Sequence, residues 1–102
     1  MRMFLISDNV DTEKGMRLGG VKGCVVHEKE EFQSVLEAAL ADRENAIVAI
    51  TEKLFDLMPD YIMERKLRES LPLIVKIPDR HGRRETSEDM MRYISEAMGI
   101  KF

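Results

Sequence analysis

The stretch KEEFQSVLEAALADRENAIVAIT, residues 29–51, changes its hydrophobic period halfway along. Phe32, Val35, Leu36, Ala39 and Leu40 fall at i, i+3, i+4, i+7 and i+8, one stripe of a helix with Glu, Gln and Ser between them. After the polar turn Asp42-Arg43-Glu44-Asn45 the pattern becomes an unbroken apolar run, Ala46-Ile47-Val48-Ala49-Ile50. A run this short suits a strand buried on both faces rather than a helix. Thr51 closes the strand and is placed to cap the next helix.

The same alternation extends both ways. Upstream, Met3-Phe4-Leu5-Ile6 is a short apolar run ended by Ser7-Asp8-Asn9, and Cys24-Val25-Val26 is another that ends at His27-Glu28. Between them residues 10–18 read as a short helix capped by Asp11 or Thr12 and stopped by Gly19-Gly20. Downstream, Leu54, Phe55 and Met58 share a helical face that Pro59 must interrupt, because proline lacks the amide donor and clashes with the preceding turn. The helix is expected to resume at Asp60 and run to Glu69. Pro72-Leu73-Ile74-Val75-Lys76-Ile77 reads as a fourth strand ended by Pro78, followed by a polar loop over residues 79–85. Thr86 or Ser87 then caps a final helix, with Glu88 and Asp89 in its first turn, Met90, Met91, Ile94, Ala97 and Met98 on its apolar face, and Gly99 as its stop.

Four strands that read as continuous apolar runs, alternating with helices, predict an α/β fold: a small four-stranded parallel sheet with helices on both faces, a Rossmann-like or flavodoxin-like three-layer sandwich. Crossovers are expected to be right-handed. The 102 residues are read as a single domain, residues 1–102, large enough for one ordinary core.

Composition narrows the function classes. A net charge of −3 argues against nucleic acid as the default partner, since such partners select a basic field. No apolar run approaches the ~20 residues that cross a bilayer, so the chain is expected in the cytosol with no direct membrane insertion. One cysteine, Cys24, permits no internal disulfide, and one Cys with two separated histidines builds no zinc site.

The segment DNVDTEKGMRLGGVKG, residues 8–23, places Gly15 and Gly20 at the spacing of a phosphate-binding loop. Such a loop must leave a strand and enter a helix with Lys and Ser or Thr directly after the second glycine. Here Val21-Lys22-Gly23 comes next and runs into a strand, so the glycines are read as ending a helix and turning the chain. Asp8 and Asp11 sit where acid pairs hold magnesium in phospho-receiver domains, but the third strand ends Ile50-Thr51-Glu52 without the acceptor Asp. Cys24, inside an apolar run, reads as an inert thiol. His27 and His81 read as solvent-facing. No catalytic, cofactor or metal-ligating residue is assigned. The basic run Arg80-His81-Gly82-Arg83-Arg84 is either a solvated loop or a contact for an acidic surface.

Taken together these residues resemble the F subunit of the V-type and archaeal-type (V/A-type) rotary ATPases, in its prokaryotic form. The matching pieces are the first strand followed by Asp8, then Asp11-Thr12 with Gly15, Arg17-Leu18-Gly19-Gly20-Val21, Ile50-Thr51-Glu52, and Pro72-Leu73-Ile74-Val75-Lys76-Ile77-Pro78-Asp79 followed by His81-Gly82. The final helix ending at Gly99-Ile100 is also similar, and the order of the pieces carries the weight. The sequence departs from the family pattern at Ser7, at Glu13-Lys14 and at Met16. The resemblance implies a non-catalytic component of the central rotor stalk, bound to the coiled-coil D subunit, cytoplasmic and peripheral to the membrane through its complex, helping to couple ATP synthesis or hydrolysis to proton or sodium transport. The alternative is a stand-alone receiver-like or phosphotransfer signalling domain. The expected partner interface comprises Met90, Met91, Tyr93, Ile94 and Met98 of the last helix, with Arg80, Arg83 and Arg84 as a second contact.

Overall fold

The structure, a computed structural model, describes residues 2–68 and 71–78. The elements run β1 (Arg2–Ser7), α1 (Val10–Leu18), β2 (Lys22–Val25), α2 (Lys29–Ala41), β3 (Asn45–Thr51), α3 (Glu52–Leu57), α4 (Pro59–Arg68) and β4 (Leu73–Ile77). The four strands form one parallel sheet in the order β2-β1-β3-β4, the α/β arrangement that the alternating pattern predicts. The loop at residues 79–85 and the final helix expected from the sequence lie outside the described residues.

The apolar strands are explained by two cores, one on each face. On one face Phe32, Leu36, Ala39 and Leu40 of α2, Leu54 and Phe55 of α3, and Ile62 of α4 pack against Ile6, Val48, Ile50 and Ile74. On the other, Met16 of α1 and Val21 join Leu5, Ala49, Val75 and Ile77. Successive strand residues point to opposite faces, so a strand covered on both sides needs apolar side chains at every position rather than at alternate ones. Phe32 and Leu36 are fully buried, and each such side chain contributes about 1.5–3 kcal/mol relative to exposure.

Pro59 divides the third crossover as its chemistry requires: α3 ends at Leu57 and α4 starts at Pro59, a position where the missing amide costs nothing. Glu37 then ties α4 to α2. One of its carboxylate oxygens accepts from the Tyr61 hydroxyl and the other lies 2.9 Å from Arg65 Nη2. At the start of the sheet Arg2 pairs with Asp42 and donates from Nε to Asn45 Oδ1 at 2.9 Å, fastening β1 to the α2–β3 turn.

The second strand differs from the sequence expectation by starting earlier. It covers Lys22–Val25 rather than residues 24–26, because Phe4 to Ser7 pair with Lys22 to Val25 and the ladder begins there. Gly23 stands opposite Leu5, and a Cβ on it would sit 2.6 Å from the Leu5 carbonyl oxygen. The close approach of β2 to β1 therefore depends on a residue without a side chain.

Candidate functional site

Open parallel sheets bind ligands at the carboxyl ends of their strands, in the crevice where neighbouring strands lead to opposite faces. Here that point lies between β1, which leads into α1, and β3, which leads into α3 on the other face. It is lined by Ser7, Asp8, Asn9 and Thr51.

These groups are engaged with one another. Thr51 Oγ1 donates to Asp8 Oδ1 at 2.6 Å and accepts from the Asp8 amide at 3.2 Å. Ser7 Oγ donates to the Asn9 carbonyl and accepts from the Asn9 amide, both at 2.8 Å. Asn9 Oδ1 accepts from the amides of Asp11 at 2.8 Å and Thr12 at 3.2 Å. The cap of α1 is thus Asn9, not Asp11 or Thr12 as the sequence suggested. The reason is one of register: the helix starts at Val10, so Asp11 and Thr12 lie inside its first turn, where their own amides lack intrahelical acceptors and are served by the Asn9 side chain. Thr51 does hold the N-cap position of α3, but its side chain makes no capping bond because its hydroxyl is turned to Asp8.

The arrangement has chemical consequences. A helix N-terminus attracts phosphate through free amides, and two such amides of α1 are already taken by Asn9. A receiver needs an acceptor carboxylate at the end of the third strand, and Thr51 stands there with its hydroxyl committed. Among the described residues no group of three or more His, Cys, Asp or Glu is placed to hold a metal ion. The glycine segment belongs to the chain reversal: Gly19 caps the end of α1, and Gly20 has a φ of 91°, where a side chain is strained.

Cys24 is half-buried on β2. Burial pushes its thiol pKa up, and the carboxylates of Glu31 and Glu13 push the same way, so the thiolate that a nucleophile needs is disfavoured. His27 is exposed, as expected, and its amide donates to Glu31 Oε1 at 3.3 Å. His81 lies outside the described residues, as do all the residues of the expected partner interface: Arg80, Arg83, Arg84, Met90, Met91, Tyr93, Ile94 and Met98.

Sequence reasoning missed two features. The Thr51–Asp8 contact joins residues 43 apart, and nothing local marks it. The other is the exposure of Met63 and Leu67 on α4. Their i,i+4 spacing beside the buried Ile62 gives α4 a second apolar side, a signal present in the sequence.

The family model for the ATP synthase (F/14-kDa) subunit matches residues 3–94. The chain is 37% identical over 93 residues to a protein of Methanosphaera stadtmanae named as the F subunit of an A-type ATP synthase, covering 89% of this chain and 87% of that one. It is 34% identical over 93 residues to the protein of the same name from Methanothermobacter thermautotrophicus, with the same coverage. To that from Methanocaldococcus jannaschii it is 31% identical over 103 aligned positions, covering 98% of this chain and 97% of the other.

Proposed function

The chain belongs to the ATP synthase (F/14-kDa) subunit family, and we propose that it works as a non-catalytic component of the central rotor stalk of an A-type synthase. In that role it binds the coiled-coil D subunit and turns with it, helping to couple ATP synthesis or hydrolysis to ion transport from a position peripheral to the membrane. The observation that carries the reading is the family match across residues 3–94, nearly the whole chain. A rotor component has only to bind and to resist torque, and the crevice at Asp8 and Thr51 is filled by bonds that hold the fold together. No helix among the described residues is long and apolar enough to cross a membrane.

Contacts with the stalk are assigned to Met90, Met91, Tyr93, Ile94 and Met98, with the arginines at 80, 83 and 84 meeting acidic side chains of the partner. Apolar helical faces rich in methionine adapt to partner helices. The test is co-expression with the other synthase subunits, followed by affinity purification. The expected result is a stable complex containing the D subunit. A chain that purifies alone, folded, overturns the reading. Met91→Asp with Ile94→Asp should abolish the complex while leaving the isolated chain folded; unfolding of the isolated variant would assign these two residues to the chain's own core.

A further inference from the structure

We draw no further inference here: the strongest candidate, the exposed apolar side of α4 at Met63 and Leu67, is an unpartnered helix face, and nothing in the structure shows what covers it.

Discussion

The hydroxyl of Thr51 donates to Asp8 Oδ1 at 2.6 Å, across the carboxyl ends of β3 and β1. The same oxygen accepts from the Asp8 amide at 3.2 Å, so one side chain satisfies two groups where the strands diverge. Thr51→Val keeps the shape and removes both bonds, leaving a half-buried carboxylate short of a donor. We expect a loss of about 1–3 kcal/mol in urea unfolding, within the range for an orphaned polar group. A change within error would show that water replaces the hydroxyl without cost.

Incubation with acetyl phosphate and magnesium, read by intact mass, is expected to leave the chain unmodified. The third strand offers Thr51 in place of an acceptor carboxylate, and two of the first amides of α1 bond Asn9. A phosphoryl adduct on Asp8 would revive the receiver reading.

Gly23→Ala places a Cβ 2.6 Å from the Leu5 carbonyl oxygen and 2.9 Å from its Cβ. Backbone cannot move aside as a flexible side chain does, so β2 must shift off β1. The expected cost is about 1–3 kcal/mol, seen as a lowered melting temperature. Gly20→Asn is the control. Nothing lies within 4 Å of a Cβ there, and asparagine tolerates the left-handed φ of 91° better than alanine. Its stability should therefore exceed that of Gly20→Ala.

Glu37→Ala is expected to release α4 before the rest of the fold. The carboxylate holds both Tyr61 and Arg65, yet its side chain is 43% exposed, so the global loss should be modest, about 1 kcal/mol. Amide exchange should quicken in α4 while β1 and β3 keep their protection. Uniform acceleration across the chain would contradict this.

Alkaline pH should weaken the fold through two groups. The Cys24 thiol is held above its usual range by burial first, then by Glu31 and Glu13. The Tyr61 hydroxyl is raised by burial first, then by its bond to Glu37 and by that carboxylate's charge, with Gln33 and Arg65 acting the other way. In both cases the folded chain holds the proton more tightly than the unfolded one. Their contribution is therefore complete below the ordinary values, about 8.5 for the thiol and about 10 for the phenol, and is lost as pH rises through the folded ones. Urea midpoints should be level across neutral pH and fall above it. Cys24→Ala should remove the earlier part of the fall, and native Cys24 should react with a disulfide reagent at pH 8 more slowly than a free thiol.

How much was legible in the sequence depends on the range of the forces. The stripe Phe32, Val35, Leu36, Ala39 and Leu40 and the run from Ala46 to Ile50 are local patterns, and each implies an element whatever lies elsewhere in the chain. Pro59 broke α3 from α4 for a reason confined to its own ring. The caps were less legible, because Asn9, Asp11 and Thr12 are all acceptable cap chemistry and only the helix register chose among them.

The sequence by itself determined that this chain is an α/β domain of alternating strands and helices, because hydrophobic period and turn chemistry act within a few residues. Only the tertiary structure decided the order β2-β1-β3-β4, the bond from Thr51 to Asp8, and the side of α4 that keeps Leu67 in solvent. Those outcomes depend on which segments meet after the chain has crossed the sheet. A hydroxyl that could cap its own helix or bond a carboxylate 43 residues away takes the partner that the assembled strands bring within 2.6 Å.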